Sequence, residues 1–294
     1  MIQRILVPLD GSSFSEHSLP YALRVAQASG ARIDVALVHV RQWPVSGEAA
    51  LVEDVDRWEA EHRAREADYL HDLAARMHRE GGVTVGPELL TGEIVPALER
   101  AAKAADLVVM TTHGRAGLER AWLGSVADAL VRHVDVPLLL VRPSDDEPVD
   151  AAFRHVLLAL DGSDTAERCI DPALEVAPDA RVTVLRVVAP PAAVASPYIP
   201  HAARLTHEGM EDRLATANHH VDSVHTRLLA RGRDAAAEVL LDYHEAHAIL
   251  RFARENDVDL IALGTRGRSP LARLLMGSVS DKVVRGATVP VLVC

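Results

Sequence analysis

The sequence predicts an α/β protein made of two tandem, open, five-stranded parallel sheets, each with helices on both faces. Three observations lead there. The chain repeats itself at a nearly fixed offset, short apolar runs alternate with longer helical patterns inside each repeat, and a strand, a glycine loop and a helix start recur in the same order late in each repeat. The repeat is plainest at the first strand, where Ile5-Leu6-Val7-Pro8-Leu9-Asp10-Gly11-Ser12 returns as Val156-Leu157-Leu158-Ala159-Leu160-Asp161-Gly162-Ser163, an offset of 151. Further on, Gly124-Ser125-Val126-Ala127-Asp128 returns as Gly277-Ser278-Val279-Ser280-Asp281, and Val136-Pro137-Leu138 as Val289-Pro290-Val291. Order and spacing survive from end to end, so a whole domain is duplicated. The proline- and acid-rich run from Arg142 to Asp150 can neither build a core nor continue a strand. The expected domains are therefore 1–143 and 152–294, with 144–151 as linker.

In the first half, strands are expected at about 3–9, 33–40, 83–90, 106–111 and 137–141. Several are apolar without alternation, as strands buried on both faces are. Between the second and third, Leu51, Val55, Trp58, Leu70, Leu73 and Met77 fit one stripe of a long helix ending at Gly81-Gly82. Leu214, Val221, Val224 and Leu228 repeat that stripe before Gly232, after a longer loop from Pro190 to Pro200. In open parallel sheets of this kind, ligands bind beyond the carboxyl ends of the strands.

Composition narrows the partners. Hydrophobic residues make up 49% of the 294 positions but aromatics only 3%, so the cores are aliphatic and a site that stacks bases between rings is not expected. The net charge of −11 argues against nucleic acid as a partner. Aliphatic runs such as Leu138 to Val141 are far too short to span a membrane. The opening Met1-Ile2-Gln3-Arg4 is charged too early for a signal peptide, and Cys169 and Cys294, 125 positions apart with no CxxC, fit reduced thiols in a cytoplasmic protein. Cys169 is expected to be packed. Lys103 and Lys282 are the chain's two lysines, so a phosphate site has to rely on backbone N–H groups and arginine.

The segment richest in chemistry is Gly264-Thr265-Arg266-Gly267, nine residues, then Gly277-Ser278. A strand, Leu260 to Leu263, feeds its first glycine, and a helix is expected to begin near Ser278. Glycines let backbone approach a ligand closely and a helix start offers unpaired N–H groups, so the three parts together form a phosphate cradle. The hydroxyls of Ser278 and Ser280 are further donors. In the first half the counterpart runs Thr111-Thr112-His113-Gly114, nine residues, then Gly124-Ser125, with Thr111 in place of the leading glycine. If that backbone needs positive φ, the threonine costs on the order of 1 kcal/mol.

With Asp10 and Asp161 after the first strands, Val38-His39-Val40 closing the second, and G-x2-G-x9-G-S at Gly264 to Ser278, the chain resembles the tandem-domain members of the universal stress protein family over nearly its whole length. The resemblance implies a Rossmann-like fold of the adenine nucleotide α-hydrolase type. It also implies a cofactor, ATP, with Mg2+ or Mn2+ carried on the triphosphate. Carried over by position, the site in the first half comprises Pro8, Leu9, Asp10, Val40, Gly114, Gly124, Ser125, Val126 and Ala127. In the second half it comprises Ala159, Leu160, Asp161, Val187, Gly264, Arg266, Gly267, Gly277, Ser278, Val279 and Ser280. The aspartates belong at adenosine and ribose, the second-strand valines offer main chain to adenine, and the loops hold phosphates. The family dimerises through its last strand, which implies pairing of the two halves within one chain and a homodimer of chains.

Simpler roles compete for the same residues. Asp10 and Asp161 can cap the following helices, and Val40 and Val187 read as core residues offering only main chain. His113, Arg115, Arg266 and Arg268 are loop residues that face phosphate or solvent. His244-Glu245-Ala246-His247 has two residues between its histidines rather than the three that align both on one helical face, so no metal site is expected. His219, His220 and His225 read as a solvated helix face. No G-x-x-x-x-G-K-[ST], no G-x-S-x-G and, at Asp10 to Ser15, no S-G-G-x-D-S occurs, so no catalytic residue is assigned. The expected function is nucleotide-dependent regulation or interaction under stress, with at most slow hydrolysis. The alternatives are a dimerising protein that uses no nucleotide, and a nucleotide hydrolase.

Overall fold

A computed structural model describes residues 1–40, 55–112, 123–143, 151–190, 202–264 and 276–294. The chain divides into two compact units, Met1–Ala152 and Phe153–Cys294. The first contains β1 (Arg4–Leu9), α1 (Ser13–Glu16), α2 (Leu19–Ser29), β2 (Arg32–His39), α3 (Val55–Gly81), β3 (Val85–Thr91), α4 (Ile94–Ala102), β4 (Leu107–Thr111), α5 (Ser125–His133) and β5 (Leu138–Val141). The second contains β6 (His155–Ala159), α6 (Asp164–Glu167), α7 (Ile170–Val176), β7 (Arg181–Val188), α8 (Ala202–Ala230), β8 (Ala235–Leu241), α9 (Glu245–Glu255), β9 (Leu260–Leu263), α10 (Ser278–Gly286) and β10 (Val291–Val293). The five strands expected in the first half are present, within two residues at each end. The loop from Pro190 to Pro200 lies outside the described residues beyond Pro190.

Within the first unit the strand order is β3-β2-β1-β4-β5, and within the second β8-β7-β6-β9-β10, all described pairings being parallel. Each order reverses direction beside its first strand, which opens a crevice at the carboxyl ends of β1 and β4, and of β6 and β9. The β4 and β9 strands are buried along their whole length, whereas the outer β3 and β8 are mostly half-exposed. Pro8 has no N–H to donate. It falls beyond the β1–β4 pairs Ile5–Leu107 and Leu6–Val108, while β6, with Ala159 there, stays paired to β9 as far as Leu263.

The long helices pack as their stripes predict. Leu70, Leu73 and Met77 of α3 and Val221, Val224 and Leu228 of α8 are buried, whereas Trp58 and Leu214 are half-buried and Leu51 lies outside the described residues. The solvated histidine face holds only for His219. His220 Nε2 donates to the Glu167 carboxylate at 2.9 Å, beside Arg227, and His225 donates to the Ala235 carbonyl at 3.0 Å. Burial pushes the Glu167 carboxyl up, but Arg227 and His220 outweigh it and hold the group below its ordinary value. The same bracket recurs in the first unit, where Glu16 takes Tyr69 and Arg76.

His39 has no such twin. Its Nδ1 and Nε2 face Glu66 and Glu59 at 2.5 and 2.8 Å. A neutral imidazole has one N–H, so two carboxylate partners favour the doubly protonated ring. Burial acts to lower the His39 pKa, and the hydrogen bonds from both glutamates reverse that, leaving it raised above 6.5. Because the folded pKa is the higher one, this stabilisation is complete below about pH 6.5 and is lost as pH rises through the folded value. Glu66→Gln is expected to destabilise the first unit by about 1.5–3 kcal/mol near pH 6. Denaturant titrations should show the penalty shrinking towards pH 9; a penalty constant with pH would contradict the imidazolium.

Candidate functional site

The site grows from the turn after β6. Asp161 Oδ1 accepts the Ser163 N–H at 2.9 Å and the Ser163 hydroxyl at 2.6 Å, and Ser163 in turn caps α6 by accepting from Ala166 N–H. The first unit repeats this with Asp10, Ser12 and Ser15. Thus the serines are the caps, and the aspartates orient them rather than capping directly. Gly162 between them has φ +83°, a left-handed conformation that disfavours any side chain. A Cβ there would also lie 2.7 Å from Arg186 Nη1.

Beyond this turn lies a cleft of about 710 Å3. Of the residues expected in the second-half site, Ala159, Leu160, Asp161, Val187, Gly264, Gly277, Ser278, Val279 and Ser280 line it. Arg266 and Gly267 lie outside the described residues, as do Gly114, His113, Arg115 and Arg268. Gly264 sits against α6, where a Cβ would meet Ala166 Cα at 3.0 Å. Its φ is not left-handed, nor is that of Thr111. The strain expected at Thr111 is therefore absent, and the glycine answers to close approach. The Ser280 hydroxyl, expected as a ligand donor, donates to the Gly264 carbonyl at 2.7 Å and fixes the start of the loop. Gly277 precedes α10 with no side-chain cap bond, and Ser278 at the first helical position is exposed.

The first-unit residues occupy matching places: Pro8 and Leu9 end β1, Asp10 follows it, Gly124 precedes α5, and Ser125, Val126 and Ala127 open that helix. Gly124 and Gly277 have the same backbone, φ −57° and −59°. Val40 is 41% exposed and Val187 half-buried, so neither is the core residue expected. Nor are they equivalent. Ile33 pairs with Ile5 as Val182 pairs with Val156, which matches Val187 to Val38 and Val40 to Ala189, also a cleft residue.

The sequence reading also missed Arg186 and the α8 residues Asp212, Arg213 and Thr216, which line the cleft. Arg186 is only 9% exposed and occupies the place of Leu37. Its signal was a lone charge near the end of an apolar strand; that of α8 was polar residues at i and i+4.

A profile of the universal stress protein family matches residues 1–142 and again 152–294. The chain belongs to the universal stress protein family. A universal stress protein of Mycobacterium tuberculosis is 27% identical over 301 residues, 98% of this chain and 95% of the relative. One from Mycolicibacterium smegmatis is 27% identical over 309 residues, covering 98% and 96%. Among solved structures, a universal stress protein from Archaeoglobus fulgidus superposes with a TM-score of 0.71 at 20% identity, covering 99% of this chain and 97% of that one. The fold is thus that of universal stress proteins.

In this family member, Gly162→Ala is expected to destabilise the second unit by about 1–2 kcal/mol through its left-handed backbone, and by more where Arg186 cannot retreat. Urea unfolding that matches the unmodified protein would show that the turn relaxes freely.

Proposed function

We propose that the second unit binds an adenine nucleotide, ATP with Mg2+ or Mn2+ on its triphosphate, and that occupancy regulates contacts of the protein during stress. The observation that carries this reading is the cleft beyond β6 and β9, where Asp161, the uncapped start of α10 and the buried Arg186 meet around one volume. About 710 Å3 lies in the range of small-molecule sites. The donor set fits a phosphorylated ligand: first-turn N–H groups of α10, the positive end of its dipole, and the Ser278 hydroxyl favour an anion without lysine. Asp161 supplies an acceptor for ribose hydroxyls, and the main chain at Val187 and Ala189 offers N–H and C=O groups to a base edge. The absence from the sequence of a Walker lysine and of a nucleophile elbow supports binding over turnover. The matching Asp10, Gly124 and Ser125 extend the proposal to the first unit, and association of two chains into a homodimer belongs to the same reading, to be checked by sedimentation.

Calorimetric titration of the full chain with MgATP tests it. Gly277→Leu fills the space before α10 without adding charge, and is expected to bind one ATP fewer per chain than the unmodified protein. Unchanged stoichiometry and affinity, or no binding by the unmodified chain, would overturn the assignment. Arg186→Leu installs the residue found at the matching place in the first unit. Removing a cation that pairs with charge costs about 1.5–3 kcal/mol, so affinity at the second site should fall about ten- to a hundredfold. Circular dichroism on both variants controls for folding.

A further inference from the structure

We propose that Cys169 and Cys294 form a redox-active dithiol–disulfide site behind the second unit's cleft, with a small thiol or small disulfide as its exchange partner. The sequence reading left the two as separate reduced thiols. The structure joins them in a disulfide, with Cα atoms 5.3 Å apart. Cys169 is packed, as expected, and fully buried at the start of α7; Cys294, following β10, is partly exposed. Their separation of 125 positions hides this proximity, because β10 lies beside β9, β9 beside β6, and α6 leads from β6 to Cys169.

The surroundings accommodate both redox states. The Cys169 sulfur lies 3.4 Å from the Leu263 carbonyl oxygen and 3.8 Å from that of Leu292. Once reduced, its S–H has acceptors in place and behaves as a small buried apolar group. The exposed end of the bond is Cys294. A small thiolate attacks the Cys294 sulfur, and the S–S bond breaks with its electron pair on Cys169, which takes up a proton. A second thiolate then attacks the mixed disulfide, releasing Cys294 as a thiolate that is protonated in turn and the small molecule as its own disulfide. Two thiols lose two electrons and the protein pair gains two electrons and two protons.

The bond also reaches the cleft wall, and this part rests on the nucleotide reading. The Leu263 carbonyl beside the Cys169 sulfur accepts the Cys294 N–H at 3.1 Å. Leu263 leads directly into Gly264, which packs against Ala166 of α6, three residues before Cys169. Oxidation therefore ties the start of α7 and the end of β10 around the strand end that launches the loop. The matching positions of the first unit are Ser18 and Val141, so the device acts on one half of the duplicated protein.

The full chain, equilibrated in a series of reduced and oxidised glutathione mixtures and trapped with a mass-tagged maleimide, tests the site. Expected is a single two-electron transition between no free thiol and two, at monomer mass on non-reducing gels, and abolished by Cys294→Ser, a substitution at the partly exposed end that spares the core. Two free thiols at every ratio, or a bond that resists reduction throughout, would overturn it. MgATP affinity should differ at least threefold between the oxidised and reduced chain and not respond to redox state in Cys294→Ser. Equal affinity overturns the coupling alone. If MgATP binds in neither state the nucleotide reading fails, while the thiol transition still decides the redox site.

Discussion

Covering both faces of a parallel sheet leaves polar chemistry one place to go, the ends of the strands. Strands such as β4 and β9 are buried along their whole length, and an unpaired polar group among them would cost about 1–3 kcal/mol. Each unit therefore places its charges at the edges. At the amino ends they hold the fold: Asp106 accepts the N–H groups of Gln3 and Arg4, and Asp259 repeats this for Arg154 and His155. At the carboxyl ends the parallel order gathers every strand exit on one side, and there Asp161, Arg186, Gly264 and Gly277 line one cleft.

Duplication provides an internal comparison. At the end of β2, the first unit encloses His39 between Glu59 and Glu66; the second has Val188 there, and Ala217, fully buried, in the place of Glu66. Conversely, the second unit has Arg186 where the first has the buried Leu37, and Ser280 bonded to Gly264 where the first has Ala127. In the second unit Arg186, Asp161, Asp212 and Ser278 line one cleft.

The repeat and the apolar runs made the strands and their count legible, because a strand buried on both faces imposes near-continuous hydrophobicity. The stripes of α3 and α8 were legible for the related reason that only one face of each meets the sheet. What stayed hidden depended on register and long-range closure. Val40 and Val187 look alike in sequence, yet the strand pairings set them two positions apart. His220 and His225 look solvated until Glu167 and the Ala235 carbonyl arrive from other elements. The two cysteines meet only once β6, β9 and β10 lie side by side. Arg186 is a lone charge in an apolar strand, and such a charge carries no spacing pattern.

Glycine illustrates the distinction most clearly. Two physical demands select it, a left-handed backbone and the lack of room for a Cβ, and a motif does not say which applies. At Gly162 both hold. At Gly264 only the second does, since the backbone is ordinary and Ala166 is the neighbour. Thr111, at the matching position, accordingly sits unstrained as the last residue of β4, and its side chain is buried. The difference between the two loops is therefore one of space at the start of the loop rather than of backbone energy. In the second unit Gly264 lies against Ala166 of α6 and is bonded by Ser280; in the first, the matching Thr111 is buried and position 127 is an alanine. The approach of Gly264 to Ala166 and the bond from Ser280 to the Gly264 carbonyl thus join α6, the end of β9 and the first turn of α10.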